Sequence, residues 1–246
     1  MSAHNRENPQ PGAHRSGHAR PARSAPNTEA VEDYLKAIYG LGRRNEGPVG
    51  TSELAERLGV TPATATAMLK RLDGRGLVIY RPYRGATLSP DGERVALEVI
   101  RHHRLLESYL AQALGMPWDR VHEEAEVLEH YISEDLETLI AEKLGEPSHD
   151  PHGDPIPGPD LRPPGESGNR QLSELEPGER GVFARVSDTD PAMLRYLSER
   201  GITPGVEILV TGRQPFEGPL LVEIGGVEHA LGGELARRMR VGEGRA

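Results

Sequence analysis

The chain has 246 residues, enough for two or three small domains, and its 29 basic and 38 acidic side chains give a formal net charge of −9. It contains no cysteine, which excludes disulfides and thiolate metal sites, so any bound metal ion would need nitrogen and oxygen ligands. No stretch is apolar over the roughly 20 residues that a membrane helix needs, and residues 1–26 contain no signal-peptide core, so we expect a cytoplasmic protein.

The first predicted element is a helix that follows a polar tail. Residues 1–26 are rich in Pro, Arg, His and Ser, and this composition predicts disorder. Glu29 and Glu32 then fall in the first turn of a helix that runs to about Gly42 and carries its apolar residues along one stripe.

The next elements predict a winged helix-turn-helix domain at residues 27–92. Thr51 or Ser52 caps a short helix, and Thr61 with Pro62 opens a second helix after a glycine turn. Two short strands joined by a basic turn come next. A hairpin directly after a helix-turn-helix is a wing, which indicates a DNA-binding domain.

Two long helices are predicted to form a second domain at residues 93–147. Ser89 caps and Pro90 opens a helix that ends near Leu114, and an acidic helix is expected over residues 117–144. Two long helices that follow a winged domain are suited to dimerising it.

The remaining segment predicts a linker and a small β domain. Residues 148–170 are rich in Pro and Gly, which is typical of a linker or an extended wrap. Beyond it, short apolar runs alternate with Gly and Pro around a helical stretch at residues 191–200. This pattern predicts a mostly β, barrel-like domain at residues 171–243.

A cluster of histidines and glutamates makes the acidic helix a candidate metal site. Two of each share about a quarter turn, because each helical residue advances by about 100°. They are His122, Glu126, Glu129 and His130. The preceding helix adds His103 and Glu107, spaced i to i+4 on one face, so that two packed helices could pool their ligands. The alternative is that all of these are ordinary solvated residues.

A zinc peptidase is the enzymatic alternative, because Glu123 directly follows His122. The H-E-x-x-H pattern fails, since Glu126 stands where the second histidine is required. A Walker-type phosphate loop and a G-x-S-x-G elbow are also missing from the sequence. We therefore expect no enzymatic activity.

The order of the motifs resembles that of a known family. A winged helix followed by VIRHHRLLESYL, VHEEAEVLEH and HGDPIP is similar to the metal-dependent regulators of the diphtheria toxin repressor family, over residues 28–160. From Gln171 the phrases LSELEPGERGVFARV, RYLSERGITPGVEILV and GGVEHALGGELARRMRV resemble the SH3-like FeoA domain that ends many members. The resemblance implies a mainly α fold with small β parts: an N-terminal winged helix-turn-helix, a helical dimerisation and metal-binding domain, and a C-terminal SH3-like β-barrel.

The resemblance also implies two metal sites in each subunit. The primary site would contain Asp33, Glu126, Glu129 and His130, and the neighbouring site His103, Glu107 and His122. Asp33 and Glu126 stand where iron-responsive members carry Met and Cys, which indicates the manganese branch. Oxygen-rich ligands agree with Mn²⁺ as the cofactor, and Fe²⁺ is the alternative because its preferences overlap.

Two positions qualify this expectation. At Lys36 the short manganese regulators carry a bridging glutamate, so we expect separated sites rather than a compact dinuclear centre. In some family members the C-terminal domain provides a ligand to the neighbouring site, and Asp188 lies near the corresponding position. It is therefore a further candidate ligand, and the alternative is a polar turn residue.

The recognition helix and the wing carry the candidate DNA contacts. Small residues on the early turns of the helix allow contact with thymine methyl groups: Thr61, Ala63, Thr64 and Ala67. Basic residues on the helix and wing suit phosphates: Lys70, Arg71, Arg81 and Arg84. The net charge of residues 61–86 is +4, which favours DNA over the alternative of a merely soluble surface.

We predict a Mn²⁺-dependent DNA-binding repressor of metal-homeostasis genes. An ion shared by Asp33 and the acidic helix would fix the angle between two domains, so that a homodimer could dock on a palindromic DNA operator. That the protein represses transcription rather than activating it is implied by the resemblance alone. The alternatives are an Fe²⁺-dependent repressor of the same family, a metal-independent winged-helix binder or activator, and a metal buffer or FeoA-like transport accessory.

Overall fold

The computed structural model describes residues 28–163, 168–188, 190–216 and 218–242. The tail predicted at residues 1–26 lies outside the described residues, as do part of the predicted linker and the last residue of the predicted β domain. The elements of the N-terminal part are α1 (Glu29–Asn45), α2 (Thr51–Arg57), α3 (Pro62–Gly74), β1 (Val78–Arg81), β2 (Gly85–Leu88), α4 (Pro90–Leu114), α5 (Val121–Leu128) and α6 (Glu134–Lys143).

The first three helices and the β1–β2 hairpin share one core. Its members include Leu35, Ile38, Leu54, Leu69, Leu72 and Val78. Thr61 caps α3 as expected, since its hydroxyl accepts a hydrogen bond from the Thr64 amide at 3.1 Å. The hairpin is antiparallel, with Arg81 opposite Gly85 at its tip. This is the winged helix-turn-helix that the sequence predicts.

The long helix α4 leaves the hairpin and forms the centre of the second domain. Ser89 caps it, and the ideal Cβ of any larger residue at Gly92 would lie 1.9 Å from the Leu77 carbonyl oxygen. Gly92 therefore allows the start of α4 to touch the segment before β1. Helices α5 and α6 pack on the other end of α4 around a small core of Leu105, Leu106, Ala125, Ile132, Ile140 and Ile156.

The single acidic helix expected over residues 117–144 is wrong. The structure has two shorter helices, α5 and α6, separated by a turn at residues 129–133. Ser133 begins α6, and its hydroxyl accepts a hydrogen bond from the Leu136 amide at 3.2 Å. A serine followed by acidic residues is a helix start signal, and here it outweighs the helical periodicity. As a result, Glu129 and His130 project from the end of α5 rather than from the middle of a helix.

The C-terminal part is an antiparallel sheet with two short helices. Its elements are β3 (Arg170–Gln171), β4 (Arg180–Arg185), α7 (Pro191–Ser198), β5 (Glu207–Arg213), β6 (Leu220–Ile224), β7 (Val227–Leu231), α8 (Gly233–Arg238) and β8 (Arg240–Gly242), and the strand order is β3-β8-β4-β5-β6-β7. Its core includes Phe183, Leu194, Leu197, Val210, Val222 and Leu231. The predicted apolar runs correspond to β4, β5 and β6, whereas β7 is mostly exposed and leaves little apolar signal.

This C-terminal sheet domain contacts the helical domain through the turn at residues 150–154. The Val186 amide donates a hydrogen bond to the His152 carbonyl oxygen at 3.0 Å. Arg195 on α7 also forms an ion pair with Asp119 at 3.1 Å. Among the described residues, none of the helices is both long and apolar enough to cross a membrane.

Candidate metal centre

Candidate metal ligands converge where α1, α4 and the end of α5 meet. Among the described residues, four groups of candidate ligands occur: three overlapping groups consist of expected ligands, and the fourth joins Glu107 to Asp150 and His152. The first group is Asp33, Glu129 and His130; the second group is His103, Glu107, His122 and Asp188; the middle group is His103, Glu126 and Glu129. Within each group, the candidate donor atoms lie within 4.8 Å of one another. All of these donors are carboxylate oxygens or imidazole nitrogens, a set that suits a divalent cation such as Mn²⁺.

The first group joins α1 to the end of α5. His130 Nε2 lies 3.1 Å from Asp33 Oδ1 and 3.6 Å from Glu129 Oε1. On its other side, His130 Nδ1 donates a hydrogen bond to Glu32 Oε2 at 2.7 Å. A carboxylate on the far nitrogen orients an imidazole and makes it a better metal ligand. The sequence reasoning missed this role of Glu32.

The same carboxylates perturb the His130 imidazole. Burial by itself lowers its pKa, but the hydrogen bonds with Asp33 and Glu32 outweigh this effect and raise the pKa to about 10. The imidazole is therefore a cation at neutral pH when only protein surrounds it. A metal ion would replace this proton, because only the neutral ring nitrogen binds a metal.

The second group joins α4, α5 and the C-terminal sheet domain. His103 Nε2 lies 3.0 Å from Glu107 Oε1 and 3.1 Å from His122 Nδ1. Asp188 lies in the loop that follows β4, and its Oδ2 is 3.2 Å from His122 Nδ1. Burial raises the pKa of Asp188, but its hydrogen bond with His122 outweighs this and lowers the pKa to about 2. Asp188 thus adds a negative charge to this group.

The middle group contains the ammonium group of Lys36. Lys36 Nζ lies 2.8 Å from Glu126 Oε1, 2.9 Å from Glu129 Oε1 and 2.8 Å from Glu129 Oε2. His103 Nδ1 lies 3.2 Å from the same nitrogen and also contacts Glu129 Oε2. The four residues expected for the primary site are therefore divided, since Glu126 lies in the middle group and not with Asp33 and His130.

A buried polar turn at residues 150–154 lies next to Glu107 of the second group. Within the described residues, Glu107 Oε2 and His152 Nδ1 are buried without a hydrogen-bond partner, and they lie 3.7 Å apart. His152 Nε2 donates a hydrogen bond to the Trp118 carbonyl oxygen at 2.8 Å. Asp150 is buried in the same turn and pairs with Arg104 at 3.7 Å. The HGDPIP motif was the available signal for His152, but it did not indicate that this residue would reach Glu107.

The end of α5 is also anchored to α4. His102 Nδ1 donates a hydrogen bond to the Glu129 carbonyl oxygen at 3.1 Å, and His102 Nε2 contacts Glu137 Oε2 at 3.0 Å. Arg101 forms a buried ion pair with Glu137 at 2.6 Å. These contacts fix the backbone from which Glu129 and His130 project, and so they position the two candidate ligands.

The candidate DNA contacts lie on or next to α3 and the β1–β2 hairpin. All eight are exposed: Thr61, Ala63, Thr64, Ala67, Lys70 and Arg71 on or before α3, and Arg81 and Arg84 on the hairpin. Tyr83, at the tip of the hairpin, is fully exposed and adopts a left-handed backbone conformation with φ of 64°. The arrangement presents the small and basic residues of the helix and the wing to solvent.

Family models match most of the chain. The iron dependent repressor N-terminal DNA binding domain matches residues 27–86, the iron dependent repressor metal binding and dimerisation domain matches residues 89–158, and the FeoA domain matches residues 170–242.

Individual proteins are also similar over most of their length. The iron-dependent repressor IdeR of Mycobacterium leprae is 32% identical over 194 residues, which cover 74% of this chain and 84% of that protein. The diphtheria toxin repressor of Corynebacterium efficiens is 31% identical over 225 residues, which cover 87% and 95%. Among solved structures, a manganese-dependent transcriptional repressor in complex with manganese is 42% identical, with a TM-score of 0.79 over 87% of this chain and 99% of that chain.

Proposed function

The chain belongs to the diphtheria toxin repressor family of metal-dependent transcriptional repressors, and we propose that it is a Mn²⁺-dependent repressor that binds operator DNA as a homodimer. One observation carries the metal-dependent part of the proposal. Asp33 on α1 and His130 after α5 bring their donor atoms within 3.1 Å, although they belong to different domains. An ion held by both residues would control the orientation of the DNA-binding domain.

The division into domains is part of this proposal. We infer a winged domain at residues 27–92, a metal-binding and dimerisation domain at 93–147, a linker at 148–170 and a FeoA domain at 171–243. The matched family models begin and end near these limits, except that the second model extends to residue 158. The turn at residues 150–154 explains this difference, since it packs on α4 and supports Glu107.

The ligand chemistry favours manganese over iron. The first group offers carboxylates and one imidazole, and the chain has no cysteine that could supply a thiolate. Hard oxygen ligands suit Mn²⁺, while sulfur ligands favour later metals. The solved structure with the 42% identical chain contains manganese, which supports the same assignment. Fe²⁺ is the second candidate, because it accepts the same donors and similar relatives are named iron-dependent repressors.

Each residue set has its own part in the mechanism. Asp33, Glu129 and His130 would hold one ion, with Glu126 as its fourth ligand when this carboxylate is released from Lys36, and the second group would hold another ion. A divalent ion supplies positive charge that neutralises the buried carboxylates and joins the elements that carry them. The recognition helix α3 and helix α1 contribute to the same hydrophobic core, so a change in the position of Asp33 would reach the DNA-contacting surface through that core.

The dimer is proposed from an apolar surface on α5 and α6. Val127, Leu136 and Leu139 are 62%, 45% and 61% exposed. Large apolar side chains exposed on neighbouring helices are typical of an interface, and a second copy of the same chain would bury them symmetrically. Two recognition helices in such a dimer could read half-sites spaced by about one DNA turn, roughly 34 Å.

DNA recognition is divided between contacts with bases and contacts with phosphates. Thr61, Ala63, Thr64 and Ala67 are small and exposed, so α3 can approach the major groove closely. The basic residues Lys70, Arg71, Arg81 and Arg84 would neutralise phosphates on either side of it. Since DNA is the partner, we also infer a cytoplasmic location and no enzymatic activity.

A metal-independent winged-helix regulator is the second candidate function, and Lys36 is the observation in its favour. The ammonium group already pairs with Glu126 and Glu129, so part of the acidic cluster is neutralised without any metal. Lys36 pairs with these two carboxylates and not with the carboxylates of Asp33, Glu107 or Asp188, so the metal-dependent function is the better supported one.

The test is selection of bound sequences from a random duplex DNA library in the presence of Mn²⁺. We expect a palindromic sequence whose binding is lost when a chelator is added and is restored by Mn²⁺. Fe²⁺ under anaerobic conditions and Zn²⁺ serve as competing metals. Equal affinity with and without the chelator would establish the metal-independent regulator instead, and failure to select any DNA would reject the repressor function.

A further inference from the structure

Lys36 has the surroundings of a metal ion. Its ammonium nitrogen makes four contacts of 2.8 to 3.2 Å with three side chains that are all candidate metal ligands. The side chain is only 19% exposed, and that of Glu129 is fully buried. A carboxylate buried to this degree needs a counter-charge, and here a residue of the chain itself provides it.

The ammonium group lies between the two groups of candidate ligands. Glu129 belongs to the first group and His103 to the second, and Lys36 contacts both of them. It also holds Glu126, which the resemblance places at the primary site. A lysine side chain is ordinarily a cation at neutral pH, and the ammonium group of Lys36 lies at 2.8 Å from a carboxylate oxygen of Glu126 and from one of Glu129.

We propose that Lys36 is a built-in cation that occupies the middle group in place of a metal ion, limits the centre to two separated ions and lowers their affinity. The inference rests on the proposed function, because it assumes that the two flanking groups bind metal. A positive charge held between two cation sites repels both ions, and it also competes with them for Glu129 and His103. An ion in the middle group is excluded as long as the ammonium fills it.

The experiment compares Mn²⁺ binding to the full-length chain with binding to variants at this position, by calorimetry and by counting bound ions with electron paramagnetic resonance. Lys36→Gln removes the charge, and Lys36→Glu replaces it with a further carboxylate. Lys36→Arg keeps the positive charge, and Arg237→Gln removes a positive charge from an exposed position of α8 as the matched control.

We expect two Mn²⁺ ions on the native chain and at least about tenfold tighter binding to Lys36→Gln, because one positive charge near both sites is gone. Lys36→Glu should bind an additional ion in the middle group. Lys36→Arg and Arg237→Gln should bind the same number of Mn²⁺ ions as the native chain, with native affinity. Folded Lys36→Gln and Lys36→Glu proteins with native affinity and native ion number would overturn the inference.

Loss of folding is also informative. If Lys36→Gln unfolds in the presence of a chelator, circular dichroism should show that Mn²⁺ restores the helices, because the metal then replaces the missing cation. Failure of Mn²⁺ to restore them would mean that Lys36 is only a structural ion-pair partner. The proposed function fails separately, if the native chain binds no Mn²⁺. In that case, Mn²⁺ binding gained by Lys36→Gln would still support the inference, and its absence would reject both.

Discussion

Asp188 Oδ2 lies 3.2 Å from His122 Nδ1, so a residue of the C-terminal sheet domain reaches the candidate metal ligands of the helical domain. The separation in sequence is large, and the contact depends on how the two domains pack. The loop after β4 is held in place by the hydrogen bond from the Val186 amide to the His152 carbonyl oxygen. The contact with His122 makes Asp188 testable as a ligand of the second group.

Asp188→Asn should weaken the second metal site by at least roughly tenfold, since loss of a ligand costs no less than loss of an outer partner. The first site should keep its affinity, because Asp188 is not part of the first group. Calorimetric titration with Mn²⁺ measures both steps. Asp190→Asn is the control, as this neighbouring side chain caps α7 instead. Two unaltered binding steps in Asp188→Asn would assign Asp188 to the turn alone.

The replacement of two carboxylate ligands by softer sulfur ligands tests which metal the protein senses. The double substitution Asp33→Met with Glu126→Cys should weaken Mn²⁺ relative to Fe²⁺ and Co²⁺, because sulfur ligands favour these later ions. The measurement is operator affinity as a function of each metal under anaerobic, reducing conditions. Glu124→Cys is the matched control, since it adds a thiol at an exposed position of α5. An unchanged order of metals in the folded double variant would remove Asp33 and Glu126 from the sensing site.

The basic residues of the winged domain should act on DNA and leave the metal sites alone. Lys70→Ala and Arg84→Ala should weaken binding about equally for all DNA sequences. Each substitution should also reduce the slope of log affinity against log salt concentration by about one, because one phosphate contact is lost. Fluorescence anisotropy at several salt concentrations measures this slope. Mn²⁺ affinity is the internal control. If it is lost in either folded variant, the separation between DNA-binding and metal-binding surfaces is wrong.

The break between α5 and α6 depends on one hydroxyl group. Ser133→Ala should lower the stability of the helical domain by about 1 kcal/mol, because the Leu136 amide loses its cap. Amide exchange of α6 and the free energy of unfolding both report this change. Ser52→Ala at an exposed position of α2 is the control. The cap expected there from Thr51 or Ser52 is wrong, because Gly50 occupies the N-cap position and no side chain caps α2. A stability equal to that of the native chain would show that packing alone sets the break.

Local signals in the sequence predicted much of the fold. Thr61 and Ser89 cap α3 and α4 as expected, and the hairpin follows the helix-turn-helix at the predicted place. Such features depend on neighbouring residues, and a capping hydroxyl or a proline acts within one turn of the chain. The i to i+4 spacing of His103 and Glu107 is local in the same sense, and their side chains meet at 3.0 Å.

The same approach failed where two local signals compete. The apolar spacing continues past Glu129 and predicts one acidic helix, whereas Ser133 starts a new helix in the structure. The roles assigned to the candidate metal and DNA residues stay predictions. What the structure adds is the grouping of the metal candidates, with Asp188 beside His122 and with Glu126 apart from Asp33.

By itself, the sequence determined the types of candidate ligand, the placement of His103 and Glu107 on one face of one helix, and the absence of any thiolate, because these depend on residue identity and on local periodicity. Only the tertiary structure decided that Lys36 lies among Glu126, Glu129 and His103. Lys36 is separated from these residues by 67 to 93 positions, so no periodic pattern relates them. Their distance is set by the packing of α1 against α4 and the end of α5, where the cost of burying Glu129 selects the arrangement that supplies a counter-charge.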